Sequence, residues 1–218
     1  MSTSLAIKKI LRNYRDYGLG VTLGKTTQRL VSFVFEARTY RIYRIHLDRY
    51  KPENTDRGGF TFSLLDWSDE KTISQIENME EWLSGKIHEK LLSGSICFLA
   101  LDGDRLAGFN LVSFGSVDMP IIRMTRKFRP NEAWSEQITV SRDYRGRGLA
   151  TILRRSVFVF LKERGITKFY GGTLPLNTAN RKLSKKVGFQ EIADIRYRHV
   201  LNRRTWTYNR VIENDKKN

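Results

Sequence analysis

The stretch of sequence that decides the fold covers residues 138–150 and reads ITVSRDYRGRGLA. Its apolar start is typical of a β-strand, and an amphipathic run follows it as far as Arg164. Gly146 and Gly148 lie between the two, where the missing Cβ atoms let backbone N–H groups approach a ligand closely. The positive N-terminus of the following helix points at the same place. We therefore predict a strand, a phosphate-binding loop and a helix.

The predicted helix has one apolar side and ends near Gly165, a residue type that is common at helix C-termini. Apolar residues recur on that side at three- and four-residue spacing, at Leu149, Ile152, Leu153, Val157, Phe160 and Leu161. The opposite side is predicted to carry the charged residues Arg154, Arg155, Lys162 and Glu163. A strand and a packed helix around the loop argue against a flexible nucleic-acid-binding segment, in which Arg-Gly repeats also occur.

The loop differs from two familiar nucleotide-binding loops. A dinucleotide fingerprint would need a third glycine at the position of Thr151, and no Gly-Lys-Ser/Thr sequence follows the turn. We therefore expect a different phosphorylated cofactor.

A second motif covers residues 177–189, reads NTANRKLSKKVGF, and follows a predicted strand at residues 168–173. Together the two motifs resemble the Gcn5-related N-acetyltransferase (GNAT) superfamily, whose members join V-x-x-x-x-R-G-x-G-x-A to N-x-x-x-x-x-L-Y-x-K-x-G-F. The resemblance covers roughly residues 60–212. It implies an α/β fold in which helices flank a mixed, largely antiparallel central sheet.

The resemblance also implies a binding site for acetyl-coenzyme A as co-substrate. Backbone amides of residues 145–150 would bind the pyrophosphate, Asn177 would hydrogen-bond the pantetheine arm, and Asn180 or Arg181 would lie near the adenosine. The residues expected at the cofactor are Ile138, Val140, Arg145, Gly146, Arg147, Gly148, Leu149, Ala150, Asn177, Asn180 and Arg181.

One departure from the family pattern affects the chemistry. Ser184 stands where many members carry the tyrosine that protonates the leaving thiolate. A serine hydroxyl is a much poorer acid than a phenol, whose reference pKa is about 10. Either another group takes this role or the thiol leaves unaided. Tyr170 and Tyr144 are candidates by proximity in sequence, although each also fits a core or surface position.

The reaction also needs a base, because a protonated amine cannot attack a thioester. Glu132 and Glu136 have the same parity on the strand before the loop, so a regular strand would point both to one face. Glu136, with apolar neighbours, is the predicted catalytic base, together with Ser184 as the second candidate catalytic residue. A solubilising role for Glu136 on a solvated face is the alternative.

Composition points to one globular domain without a metal site. At 218 residues and 40% hydrophobic content the chain can bury a sizeable core. Cys97 is the single cysteine and is expected to be a small core residue in a reducing compartment. His46, His88 and His199 lack partners at metal-ligand spacing, so we expect no metal.

The formal net charge of +16 is concentrated in residues 1–50 and in residues 141–218. Coenzyme A phosphates would need only a few of these cations. The remainder indicates an anionic partner, for which an acidic amine substrate, a membrane surface and nucleic acid are the options. Of these we do not expect nucleic acid, and the oligomeric state stays open.

The N-terminal fifty residues are predicted as a basic, amphipathic, helical extension. Such a helix lies on an anionic membrane or docks on its own domain, and we favour docking. Residues 51–59 form a predicted linker, residues 60–212 the acyltransferase domain, and residues 213–218 a disordered tail. We expect a cytoplasmic protein, because a secretory signal and a run of about 20 apolar residues are both missing from the sequence. Peripheral contact with the inner face of the membrane is the alternative, if the extension lies on the membrane.

The other predicted strands and helices follow one another in the order expected for the GNAT superfamily. We predict a strand at residues 60–65, helical sequence from Ser68 or Asp69 to about Leu92 with a break near Ser84, and a hairpin turning at residues 102–104. Residues 115–132 are expected to be irregular. Residues 189–199 and 204–211 are expected to form a closing strand pair.

The predicted function is transfer of an acetyl group from acetyl-coenzyme A to an amine by direct attack. No Cys or Ser stands in a pattern typical of an acyl-enzyme nucleophile. The acceptor could be an amino sugar nucleotide, a peptide or protein amine, or a small metabolite. Two alternatives are a membrane-associated acyltransferase using a longer donor, either acyl-coenzyme A or an acyl carrier protein, and a non-catalytic module that binds coenzyme A or nucleic acid.

Overall fold

The computed structural model describes residues 35–52 and 58–211. The strands of these residues are β1 (Phe35–His46), β2 (Thr61–Leu64), β3 (Ile96–Asp102), β4 (Arg105–Ser113), β5 (Ser116–Met119), β6 (Met124–Lys127), β7 (Glu132–Val140), β8 (Lys168–Thr173), β9 (Gln190–Val200) and β10 (Arg203–Arg210). The α-helices are α1 (Glu70–Met79), α2 (Ile87–Leu92), α3 (Leu149–Glu163) and α4 (Thr178–Lys186). Short 3₁₀ turns cover Glu81–Leu83, Pro120–Ile122 and Arg142–Tyr144.

Eight strands form one sheet in the order β10-β9-β1-β8-β7-β4-β3-β2, and β5 and β6 form a separate hairpin. Neighbours in the large sheet run antiparallel except β7 and β8, which run parallel. Helices α3 and α4 pack on one face, and α1 and α2 pack on the other. The predicted α/β fold with a mixed, largely antiparallel sheet flanked by helices is confirmed.

Strand β1 lies in the middle of the sheet, between β8 and β9. The sequence analysis assigned its residues to a helical extension, so for residues 35–46 the structure differs from that expectation. Ile42 packs in the core on one face of the sheet, and Tyr43 and Ile45 pack in the core on the other. A strand buried on both faces loses strict polar–apolar alternation, and its mixture of apolar and basic residues resembles an amphipathic helix.

Other parts of the predicted domain organisation lie outside the described residues. These parts are residues 1–34 of the extension, residues 53–57 of the linker, and the tail at residues 213–218.

Each face of the sheet has its own core. The face under α3 and α4 is filled largely by Leu149, Leu153, Val157, Phe158, Leu161, Phe169 and Phe189. The opposite face has one cluster under α1 and α2, which includes Ile76, Leu83, Ile87, Phe109 and Leu111. A second cluster on that face joins the β5–β6 hairpin to β1, β7, β8 and β9. These cores hold the strands around the site from both sides.

Most local elements agree with their sequence signals. Asp69 is the N-cap of α1, and its side chain accepts a hydrogen bond from the Thr72 N–H group at 3.0 Å. The hairpin between β3 and β4 turns at residues 103 and 104 as predicted. Residues 115–132 are more ordered than expected, because they contain β5, β6 and the intervening 3₁₀ turn. Strands of four residues are too short to give a clear alternation in sequence.

Candidate active site

A cavity opens where β7 and β8 separate. The two strands pair in parallel as far as Ser135 opposite Gly171. Strand β7 then runs on to Val140 and β8 to Thr173, and the space between the diverging strands belongs to a cavity of about 640 Å³. We call this region the fork. A fork in a sheet leaves backbone groups of both strands available to a ligand.

The cavity brings together residues from distant parts of both sequence motifs. The predicted site residues that line it are Glu136, Ile138, Val140, Arg145, Ala150, Asn177, Asn180 and Ser184. The predicted residues outside its lining are Gly146, Arg147, Gly148, Leu149 and Arg181. The two motifs therefore meet at one site, although not every residue named within them faces it.

The glycine loop has the backbone form that its sequence predicts. Gly146 and Gly148 have φ angles of 80° and 78°, a region that side-chain-bearing residues rarely adopt. Gly148 is the N-cap of α3 and supplies no side-chain cap, although its carbonyl accepts a hydrogen bond from the Thr151 N–H group at 2.9 Å. Arg145 donates a hydrogen bond from Nε to the Val140 carbonyl at 3.1 Å, which ties the loop to β7. This arrangement suits a pyrophosphate.

Three residues that were expected to contact the cofactor lie outside the cavity lining. Leu149 is buried in the core under α3. The guanidinium of Arg147 lies 5.5 Å from the ring centre of Tyr144, on the wall of a different cavity. Arg181 of α4 turns toward β9, with Nη2 4.0 Å from Oε1 of Glu191.

The start of α4 forms the cofactor-side wall of the cavity. Asn177 is the N-cap of α4, and its side-chain oxygen accepts a hydrogen bond from the Asn180 N–H group at 3.0 Å. The buried hydroxyl of Ser184 donates to Oδ1 of Asn180 at 3.4 Å. Both Asn177 and Asn180 thus combine a structural role in α4 with a position on the cavity wall.

Glu136 reaches the cavity through a β-bulge. Leu111 pairs with Gln137 and Val112 pairs with Ser135, which leaves Glu136 as an extra residue on β7. The bulge turns its carboxylate to the face of α1 and α2. There Oε2 forms an ion pair with Lys90 Nζ at 2.5 Å, and Oε1 accepts a hydrogen bond from the Ser113 hydroxyl at 2.5 Å. The prediction that this carboxylate has apolar neighbours is therefore wrong.

The other candidates from the sequence lie away from the cavity. Glu132 is buried, and its Oε1 accepts a hydrogen bond from Tyr170 at 3.1 Å. Tyr144 donates to Oδ2 of Asp102 at 3.0 Å. These hydroxyls are bound to carboxylates elsewhere in the fold, and neither Tyr170 nor Tyr144 lines the cavity.

Two tyrosines of β1 line the cavity instead, and sequence analysis missed both. Burial, followed by the negative charge of Glu136, raises the pKa of Tyr40. Burial, followed by the charge of Glu191, raises the pKa of Tyr43. A Cβ atom at Gly172 of β8 would overlap the Tyr40 ring, so only glycine leaves room for this ring. A position on β1, far along the chain from the fork at Ser135, carries no local sequence signal for the site.

Glu80 adds a second carboxylate at the end of α1. Its Oε1 accepts hydrogen bonds from Gln137 Nε2 at 2.9 Å and from Thr139 Oγ1 at 2.6 Å. All three residues line the cavity on the same side as Glu136. The chemistry of this wall is thus acidic and hydrogen-bonding, whereas the opposite wall carries the loop and α4.

Arg154 is the main correction to the predicted helix. It was expected on the charged side of α3, but it is 4% exposed and lines the cavity. Residue 154 is four residues from both Ala150 and the buried Phe158, so helical spacing permits this position, but the spacing alone does not indicate that a charged side chain is buried there. Burial lowers the pKa of Arg154 to about 9.

The described residues contain no group of three or more His, Cys, Asp or Glu side chains that could hold a metal ion. Cys97 is buried, and burial raises the pKa of its thiol. Within residues 35–52 and 58–211, none of the helices is long and apolar enough to cross a membrane.

The sequence model of the acetyltransferase (GNAT) family matches residues 39–189 of the chain. This range begins within β1 and ends just before β9, so it includes both walls of the fork. The chain belongs to the acetyltransferase (GNAT) family. The part of β1 that lines the cavity belongs to the matched region.

Solved GNAT structures share this fold. A GNAT acetyltransferase from Novosphingobium aromaticivorans is 19% identical with a TM-score of 0.53, over 74% of this chain and 63% of the other. An N-acetyltransferase from Sphaerobacter thermophilus is 20% identical with a TM-score of 0.54, over 81% of this chain and 56% of the other. The glucosamine N-acetyltransferase region of a fungal multi-domain GH3 β-N-acetylglucosaminidase is 17% identical with a TM-score of 0.57, over 79% of this chain and 22% of the other.

This GNAT chain covers less than two thirds of the length of each of these proteins. At such identities the likeness shows the fold alone. A search of curated protein sequences found no match.

Proposed function

We propose that this GNAT family member transfers the acetyl group of acetyl-coenzyme A to an amine. The observation that carries the proposal is the fork between β7 and β8, which opens beside the N-terminus of α3 and the first turns of α4. A pyrophosphate at the glycine loop would place an extended pantetheine arm along the free edge of β7. The thioester would then lie near Glu136, where the strands diverge.

The proposed reaction is direct attack of the amine nitrogen on the thioester carbon. Glu136 takes the proton from the amine, directly or through a water molecule. Lys90 and Ser113 hold this carboxylate in one direction. Backbone N–H groups of β7 polarise the thioester carbonyl. Ser184 lies on the cofactor-side wall, where its hydroxyl can donate a hydrogen bond to the departing sulfur.

The acceptor would enter from the face of α1 and α2, opposite the loop. Glu80 and Glu136 line this entrance; because Lys90 offsets the charge of Glu136, Glu80 supplies most of the attraction for a positively charged amine. The cavity thus supports a cationic amine better than the acidic acceptor that the net charge suggests. We further propose that the protein is cytoplasmic and contacts an anionic membrane surface. The excess of 39 Lys and Arg residues over 23 Asp and Glu residues supports this contact.

Binding of the donor is tested by thermal unfolding. Acetyl-coenzyme A should raise the Tm of the full chain, and Ala150→Glu should abolish this shift because its carboxylate would face the pyrophosphate. Ala150 is preferable to either loop glycine, because a side chain at a positive φ angle strains the backbone by itself. Arg155→Gln is the matched control, since it removes one positive charge from the same helix outside the cavity lining.

Turnover is tested by incubating the chain and acetyl-coenzyme A with a panel of amines and identifying N-acetyl products by mass spectrometry. A donor-induced Tm shift without any N-acetylated amine would favour the non-catalytic alternative. An undiminished shift in Ala150→Glu would show that the loop does not bind the donor.

A further inference from the structure

Arg154 lies at the base of the fork and is part of a buried polar network. Its Nη1 donates hydrogen bonds to Oδ1 of Asn110 at 2.8 Å and to Oγ of Ser135 at 2.7 Å. Asn110 in turn donates from Nδ2 to the carbonyl of Gln137 at 2.8 Å. Ser135 is the last residue of β7 that pairs with β8, so the guanidinium lies where the strands begin to separate.

The charge of Arg154 has no counterion among the described residues. The ion pairs within residues 35–52 and 58–211 do not include it, and its buried Nε finds no hydrogen-bond partner there. The Phe169 and Phe189 rings lie 5.6 and 5.7 Å from the guanidinium. A buried guanidinium without a counterion is costly, and its two hydrogen bonds and the ring contacts offset only part of that cost, so its uncompensated positive charge would stabilise an anion that enters the cavity.

The reaction itself supplies a suitable anion. Arg154 lines the same cavity as Ser184, Leu183 and Phe189, on the wall that carries the cofactor loop. Ser184 occupies the position where the phenol of a tyrosine would meet the leaving sulfur. A serine hydroxyl cannot supply the proton as readily as a phenol, so a nearby positive charge would favour departure of the sulfur as a thiolate.

We propose that Arg154 stabilises the departing coenzyme A thiolate by its charge, in place of the phenol that Ser184 replaces. The inference rests on the acetyl transfer proposed above. The amine nitrogen bonds to the carbonyl carbon, the C–S bond breaks, and its electron pair goes to sulfur. The proton of the amine goes to Glu136 or water. Arg154 keeps its own protons, and the thiolate takes a proton from water on release.

The test measures the ionisation of the product. The full chain is saturated with coenzyme A, and the ultraviolet absorbance of its thiolate is followed against pH. The thiol bound to the wild type should titrate about one to three pH units below free coenzyme A, because a cation within a few ångströms favours the thiolate. Bound to Arg154→Met, it should titrate no lower than free coenzyme A, and bound to Arg154→Lys, between the two. Arg155→Gln should behave as the wild type.

Kinetics give an independent readout. Arg154→Met should lower kcat by about 100-fold while the KM for acetyl-coenzyme A changes by no more than about threefold. Equal thiol titrations for wild type and Arg154→Met would overturn the inference and leave Arg154 with only its structural contacts to Asn110 and Ser135. Should Arg154→Met fail to fold, an unshifted thiol in the wild-type complex alone would overturn it. Failure of the wild type to bind coenzyme A would overturn the proposed function, and this inference with it.

Discussion

One extra residue in β7 determines the environment of Glu136. Without the bulge, Glu136 and Ile138 would share a face, as their parity suggests. With it, Ile138 packs toward the core under α3, whereas Glu136 meets Lys90 on the other side of the sheet. The carboxylate is therefore held by polar partners at the cavity wall. Glu80 is the only other carboxylate among the described residues lining this cavity.

At the residue scale, Glu136→Gln should lower kcat/KM by about 100-fold or more near pH 7, because general-base assistance typically contributes 10² to 10⁴. The deficit should shrink as the pH rises and more of the amine deprotonates unaided. Glu80→Gln is the matched control and should lower kcat/KM by about tenfold at most. Ser184→Ala should also lower kcat/KM by about tenfold at most. A larger loss for Glu80→Gln than for Glu136→Gln, in steady-state assays across pH 6 to 9, would transfer the base assignment to Glu80.

At the scale of elements, β1 connects the two halves of the sheet. It pairs with β8 over Arg41–His46 and with β9 over Phe35–Arg44. Arg41 reaches across to Asp194 with two hydrogen bonds, from Nε to Oδ1 at 2.8 Å and from Nη2 to Oδ2 at 3.0 Å. A bidentate pair of this kind fixes the strand register as well as contributing free energy.

Replacing Asp194 should produce an acid-dependent change in stability. Hydrogen bonds from Arg41 lower the pKa of Asp194 below its usual range. A carboxyl with a lowered pKa in the fold stabilises the protein above its unfolded pKa and loses that contribution as the pH falls through the folded value. Asp194→Asn should therefore reduce the free energy of unfolding by about 1 kcal/mol at pH 6.

Urea unfolding followed from pH 6 to pH 2 measures this effect. The difference between wild type and Asp194→Asn should begin to shrink below about pH 4, where an aspartate in the unfolded chain becomes protonated, and should vanish as the pH falls through the lower pKa of the folded carboxyl. Asp104→Asn, at an exposed position in the β3–β4 turn, is the control and should track the wild type. A pH-independent deficit in Asp194→Asn would mean that the pair contributes through packing rather than charge.

At the scale of the whole molecule, the charge distribution favours a phosphate-rich donor. The chain carries a formal net charge of +16, and basic residues are dense around the loop and α4. The acceptor-side wall carries Glu80 and Glu136. A donor with several phosphates and a cationic amine would thus approach from sides of opposite electrostatic character.

This asymmetry predicts that donor binding depends on salt. The Kd of acetyl-coenzyme A should rise at least about threefold between roughly 0.05 M and 0.5 M salt, because screening weakens attraction to its phosphates. Acetylpantetheine lacks the pyrophosphate and the ribose phosphate, so its weaker affinity should change little over the same range. Isothermal titration calorimetry with both ligands distinguishes the two cases. Equal salt dependence for both ligands would contradict an electrostatic role for the basic half.

Much of the fold could be predicted because its signals are local. Paired glycines at 146 and 148 require a special backbone conformation, and the periodicity of residues 149–163 requires a packed helix. The asparagine at 177 caps α4 within four residues of itself. Such features depend on near neighbours, so their residues appear together in the chain and in the structure.

Three features of the site were decided only by tertiary structure. The place of β1 depends on pairing with β8 and β9, more than 100 residues away, so nothing near Tyr40 in sequence indicates the cavity. The direction of Glu136 depends on the register between β7 and β4. Burial of Arg154 depends on Asn110 and Ser135, which accept hydrogen bonds from its Nη1 and belong to two different strands. Long-range pairing, register and partner side chains arise when strands assemble, and local periodicity carries no record of them.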